Sequence, residues 1–179
     1  MNALKTACAC GLLLLIGAAA GADEPPAPQL TAEHKTLESW IGGWSGEGEM
    51  KPGPFGEGGP VTWTEDCTWF ESSPFHVACT SEGSGPMGPM KGLGIIGYNS
   101  EKGVFTHYGV DSTGWAGYSE GTRDGGTWRF ESEEMMGGTT YHTRFTMTMQ
   151  DNSSMTFSWE MSEDGEKWIV LMDGTSTKQ

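Results

Sequence analysis

The stretch Thr143-Arg144-Phe145-Thr146-Met147-Thr148-Met149, followed after Gln150-Asp151-Asn152-Ser153-Ser154 by Met155-Thr156-Phe157-Ser158-Trp159-Glu160-Met161, decides the fold class. In both halves large apolar residues alternate with polar ones, the period of two that belongs to a half-buried strand. The Asp-Asn-Ser-Ser between them is a turn signal, so the pair reads as an antiparallel hairpin. One face carries Phe145, Met147, Met149, Met155, Phe157, Trp159 and Met161. The other carries His142, Arg144, Thr146 and Thr148.

The same texture extends in both directions. Trp128 and Phe130 alternate, as do Val61, Trp63, Cys67 and Trp69. Strands are expected near 44–50, 61–70, 75–82, 93–98, 103–111, 114–121, 127–133, 139–149, 154–161 and 167–173. They are separated by Asn99-Ser-Glu-Lys-Gly103, Arg123-Asp-Gly-Gly126, Asp151-Asn-Ser-Ser154 and Ser162-Glu-Asp-Gly165. Gly83 to Gly92, rich in glycine and proline, reads as a flexible loop near a barrel mouth. No helix-length pattern interrupts the strands, which excludes parallel βαβ units. An all-β antiparallel meander of about ten strands remains. It is expected to close into a barrel, because an open sheet would leave two edges free to pair with other chains. One short N-terminal helix precedes it: Thr31 can cap, Glu33 sits in the first turn, Leu37, Trp40 and Ile41 share a face, and Gly42-Gly43 ends it.

Composition limits the function. The 24 acidic residues against 10 basic ones give a formal charge of −14. Such a surface repels phosphate backbones and anionic headgroups, so the expected partner is neither nucleic acid nor membrane. With 28 glycines and 8 tryptophans among 179 residues, the chain is neither a helical bundle nor disordered.

Residues 1–22 read as a secretory signal peptide: Lys5 in the n-region, the apolar run Leu12 to Ala20, then Ala20-Gly21-Ala22 before Asp23-Glu24. The run is too short to span a bilayer, which takes about 20 apolar residues. Residues 23–30 form a Pro-rich linker and 31–179 a single barrel domain. The expected location is outside the cytoplasm, in a bacterial periplasm. Two cysteines then remain, Cys67 and Cys79. In an oxidising compartment a disulfide is their default state. If Phe70 faces His76 across the intervening turn, the two cysteines face each other as well.

Chemistry-bearing motifs are few. His34, His76, His107 and His142 lack the clustered spacing of metal sites and read as partly exposed strand or helix residues. There is no GxSxG, and no phosphate-binding loop pattern. The acidic pairs Glu65-Asp66, Glu133-Glu134 and Glu163-Asp164 read as solubilising surface charge. No catalytic residue, metal ligand or cofactor is assigned. The expected function is binding of a small apolar or amphipathic molecule inside the barrel. Trp44, Trp115, Phe145, Met147, Phe157 and Trp159 are its candidate wall, and Met87 and Met90 its rim. Alternatives are copper held by methionine thioethers, an enzyme using His107 or His142 as a base, and a purely structural barrel.

Several motifs resemble a known family. His34-Lys35-Thr36-Leu37-Glu38-Ser39-Trp40-Ile41-Gly42-Gly43-Trp44-Ser45-Gly46-Glu47 looks like the opening of the bacterial domain-of-unknown-function family number 1579. Ile96-Gly97-Tyr98-Asn99 is similar to its GYD strand end, with Asn for Asp. Asp111-Ser-Thr-Gly114, Ser119-Glu120-Gly121-Thr122 with Asp124, Thr143-Arg144 and Asp164-Gly165-Glu166 follow in the family's order. The family's closing Tyr-x-Arg is here Ser176-Thr177-Lys178. The resemblance implies a calycin-type barrel, lipocalin-like or fatty-acid-binding-protein-like and often exported, with no established activity. Gly42-Gly43-Trp44-Ser45-Gly46-Glu47-Gly48 also resembles the GxWxGxG opening of the nitrobindin haem proteins, whose haem takes an axial histidine near the C-terminus. By this resemblance haem is the second form, beside copper, of a metal or redox alternative, although the last histidine here, His142, lies ahead of the final two strands.

Overall fold

The computed structural model describes residues 28–53 and 56–179. The expected signal peptide and most of the linker lie outside the described residues. A single helical turn, α1 (Ala32–Thr36), tightens into a 3-10 turn at Leu37–Trp40. Ten strands follow: β1 (Gly42–Met50), β2 (Gly59–Trp69), β3 (His76–Gly85), β4 (Gly88–Asn99), β5 (Val104–Asp111), β6 (Ala116–Asp124), β7 (Thr127–Met136), β8 (Thr139–Met149), β9 (Ser154–Ser162) and β10 (Ile169–Lys178). Each pairs antiparallel with the next, and β1 pairs with β10, so the meander closes and leaves no free edge.

The register follows the hydrophobic alternation. Phe130 faces Phe145, which faces Trp159, and Trp128 faces Met147, which faces Phe157. A slip of one residue would turn all of these outward. The barrel has two unlike ends. At the base, Leu37, Trp40 and Trp44 pack on Val77, Ile96, Phe105 and Trp128. Trp40 meets Trp128 edge-on at 5.6 Å, and the Trp44 indole N–H donates to the Trp40 carbonyl at 2.8 Å. His34 anchors the helix there. It is buried, accepts from the Thr31 backbone N–H at 3.1 Å, and stands edge-on to Phe75 and Tyr98. It is a packing residue, not the partly exposed one its polarity suggested. The opposite end, the mouth, carries the β1–β2, β3–β4, β5–β6, β7–β8 and β9–β10 connections.

The expected flexible segment at Gly83–Gly92 is instead a tight hairpin, with β3 and β4 running to Gly85 and from Gly88 around Pro86-Met87. Gly88 takes φ +93°, and both prolines sit where a missing N–H costs no interior ladder bond. Gly83, Gly85 and Gly92 are strand residues with Trp63, Val61 and Ser81 beside them, whereas Gly88 has open space where a side chain would be. The helix is shorter than its apolar spacing implied, because Trp40 turns into the base and Gly42, at φ +124°, starts β1 at once.

Candidate functional site

Seen along the inside of the wall, rings occupy slots left by glycines on neighbouring strands. Trp63 on β2 lies over Gly46 on β1, and over Gly83 on β3, where an added Cβ would come 3.1 Å from the Trp63 Cβ. Trp115 folds back over Gly109 and Gly117, and His107 lies over Gly94, its Nε2 3.1 Å from where a Cβ would be. These rings line the mouth half of the interior. Trp63, Phe145, Trp159 and His107 face inward yet keep accessible surface, unlike the sealed rings of the base.

The expected wall residues divide along the barrel axis. Trp44, Met147 and Phe157 are buried in the packed base. Phe145 and Trp159 are half-buried above them, Phe145 stacking on Phe157 at 5.6 Å. Trp115 is partly exposed at the mouth, and its indole N–H donates to Glu134 at 3.2 Å. Met90 lies at the same end, and Met87 forms the tip of the β3–β4 turn. The two histidines weighed as bases are separated by the wall: His107 faces the interior, whereas His142 shares the outer face of β8 with Arg144 and lies 3.6 Å from Glu133.

The interior also holds a residue that sequence reasoning placed on the surface. Glu65 shares the inward face of β2 with Val61, Trp63, Cys67 and Trp69. Its cross-strand neighbours are Trp44 on β1 and Ser81 on β3, neither charged. Its carboxyl makes no hydrogen bond or ion pair with any described residue. Burial pushes it up to about 7, well above an ordinary carboxyl. Burial likewise holds the His107 imidazole below its usual value, disfavouring its charged form. The signal for Glu65 was its parity with four apolar or cysteine neighbours; its pairing with Asp66 concealed it.

Cys67 and Cys79 stand opposite each other in the β2–β3 ladder and form a disulfide, with Cα atoms 4.0 Å apart. Glu65 and the two sulfurs lie within 4.8 Å of one another, the one three-residue cluster of metal-ligand type among the described residues. With both sulfurs bonded to each other, it offers no thiolate. Haem fits no better on the axial-histidine criterion. β9 and β10 contain no histidine, and the interior's histidine, His107, is on β5.

The polar motifs shared with the resembling family turn out to shape connections. Asp111 accepts from the Thr113 N–H at 2.8 Å and the Trp115 N–H at 3.2 Å. Asn99 accepts from the N–H groups of Glu101 and Lys102, both at 3.1 Å, so Asn serves there as Asp would. Asp164 accepts from those of Glu166 and Lys167. The profile of a family described as proteins of unknown function, DUF1579, matches residues 29–178. The chain belongs to the DUF1579 family. No curated protein matches this DUF1579 member. Among solved structures, Rv2717c from M. tuberculosis is similar with a TM-score of 0.60 at 13% identity, over 84% of this chain and 99% of that one. The S-type phycobiliprotein lyase CPES from Guillardia theta is similar with a TM-score of 0.55 at 13% identity, over 85% and 98%. At such identities the likeness is one of fold.

Two concave surfaces on the outer wall complete the picture. One, of about 360 Å³, lies between the β9–β10 connection and the β7–β8 wall, lined by Glu131, Glu133, His142 and Trp168 among others. The other, of about 450 Å³, is a threonine-rich groove across β10, β1 and β2. Neither gathers buried titratable groups as the interior does.

Proposed function

We propose that this DUF1579 barrel binds a small amphipathic molecule in the mouth half of its interior. The observation that carries the reading is that Trp63, Phe145 and Trp159 face inward, above a packed base, and still keep accessible surface. A folded chain buries large rings where it can, so inward rings left reachable by solvent mark space a ligand can fill. Covering them contributes about 25 cal/mol per Å² of apolar area, less the cost of immobilising the ligand. Glu65, His107 and Ser81 supply the few polar groups that such a site uses to orient its occupant. The acidic chain and the leader-like residues 1–22 fit a protein that meets its ligand after export to a periplasm.

The test uses N-phenyl-1-naphthylamine, an uncharged apolar fluorophore. Saturable one-to-one enhancement is expected, weakened about tenfold or more by Trp159→Ala and little changed by Tyr108→Ala on the outer wall. Absence of uptake, or equal loss in both variants, would overturn the assignment. Native mass spectrometry of protein drawn gently from a periplasmic extract, beside a denatured control, then gives the mass of any carried molecule. Recovery of the full chain in the cytoplasm with residues 1–22 intact would refute export.

A further inference from the structure

The interior is electrically polar along the barrel axis. At the base, the inward-side cations are engaged with rings: the Lys178 ammonium lies 5.1 Å from the Trp44 ring centre and the Arg123 guanidinium 5.3 Å from that of Trp128. Deeper toward the mouth every charged inward residue is acidic: Glu65 on β2, Asp111 on β5 and Glu134 on β7. Asp111 and Glu134 are occupied by hydrogen bonds from Thr113, Trp115, Ser132 and Thr143. Glu65 is not. It has Trp63 two residues away on the same face, Trp44 opposite on β1, Ser81 opposite on β3, and the disulfide below it. A carboxylate with no partner, set beside Trp63 and Trp44 on the inward face of the wall, is a poor place for an anion or a neutral chain end. For a cation it is favourable twice, through the carboxylate's charge and through the ring faces.

We propose that the ligand is an organic cation, a protonated amine or quaternary ammonium on an apolar stem, and that Glu65 is its counter-ion. This rests on the interior binding reading above and names its ligand class. The net charge of −14 acts in the same direction, concentrating cations at the mouth. A cation entering beside Glu65 draws its proton off, since the unpartnered carboxyl is held near half-protonation at neutral pH. His107 and Asp111 on β5 and Glu134 on β7 are the other titratable groups facing this space. Burial lowers the His107 imidazole and so disfavours its charged form, and Asp111 and Glu134 keep their hydrogen-bond partners.

Three probes of one chain length separate the outcomes: octyltrimethylammonium, octanol and octanoate, followed by tryptophan fluorescence and calorimetry with the full barrel, its disulfide intact. The cation is expected to bind at least tenfold more tightly than octanol at pH 8.5, with the margin shrinking several-fold at pH 5.5, and octanoate most weakly. Glu65→Gln is expected to abolish the cation's advantage over octanol and its dependence on pH, and an unchanged far-ultraviolet spectrum and disulfide show that the variant still folds. Equal binding of octanol and the cation, or preference for octanoate, overturns the counter-ion assignment and leaves the binding barrel standing. Failure of all three probes, together with N-phenyl-1-naphthylamine, removes both.

Discussion

Gly46 of β1 is glycine because the indole of Trp63 occupies the place its side chain would take; any Cβ there would run into the six-membered ring. An indole cannot swing clear as a flexible chain end can, so Gly46→Ala forces either Trp63 from its slot or β1 from its partners. Overpacking of this kind costs about 1–3 kcal/mol. Urea denaturation is expected to show that loss, with a shift in tryptophan emission. Gly43→Ala is the control: its Cβ would meet Gln179 at an ordinary 3.6 Å and its stability is expected to change by less than about 0.5 kcal/mol. Equal effects at both positions would refute the slot.

Glu65 makes stability depend on pH with a sign opposite to that of most carboxylates. Its folded value of about 7 lies above its unfolded value, so the folded chain holds the proton more tightly between the two. Stability is therefore expected to fall as pH rises from about 4.5 to 7 and then to level off, by at most about 3–4 kcal/mol at about 1.4 kcal/mol per unit. His107, with its folded value lowered, contributes the reverse slope below its ordinary range, losing stability as acid protonates the unfolded imidazole. Melting temperature against pH for the wild type and Glu65→Gln isolates the first contribution. A variant that keeps the neutral-pH decline would show that Glu65 does not cause it.

The disulfide closes a 12-residue separation between paired strands. Loop-closure entropy for such a span is worth about 3 kcal/mol in the unfolded chain. The double variant Cys67→Ala with Cys79→Ala is expected to melt lower by several degrees, while retaining the far-ultraviolet spectrum of the barrel. The oxidised wild-type barrel, freed of residues 1–22, should show no free thiol under denaturing conditions. Detection of two thiols would contradict the pairing.

These relationships explain how far the sequence could be read. The ten strands were visible from the alternation in several of them and the turn signals between the rest, and the Cys67–Cys79 pairing followed from the register expected across the turn after Trp69. Glu65 was visible in principle, at the same parity as Trp63 and Cys67. Its meaning depended on knowing which side chains the ten strands bring together around that inward face, which is a property of the closed barrel and not of one strand. The hairpin at Pro86-Met87 was obscured for a related reason. Gly83 and Gly92 look like loop residues in one dimension, and only the neighbouring strands show that Trp63 and Ser81 fill the space beside them. His34 likewise gave no local sign of burial, since Phe75 and Tyr98, which enclose it, are distant in sequence.

Arg144 ties the β9–β10 connection to the outer wall. Its Nε donates to Glu160 at 2.8 Å, and its guanidinium lies 4.0 Å from the ring centre of Trp168. Both side chains of the ion pair are about one-fifth exposed, so water screens the pair less than it would a surface bridge. A planar guanidinium can make the hydrogen bond and the stack together, whereas an ammonium is a point charge that keeps the bond at best. Arg144→Lys is therefore expected to speed amide hydrogen exchange in 163–168 several-fold, and Arg144→Ala to add a stability loss of about 1–2 kcal/mol. Exchange in β1 to β4 should be unchanged. If Arg144→Lys protects the connection as well as arginine does, the stack on Trp168 contributes nothing, and the charge alone holds the loop.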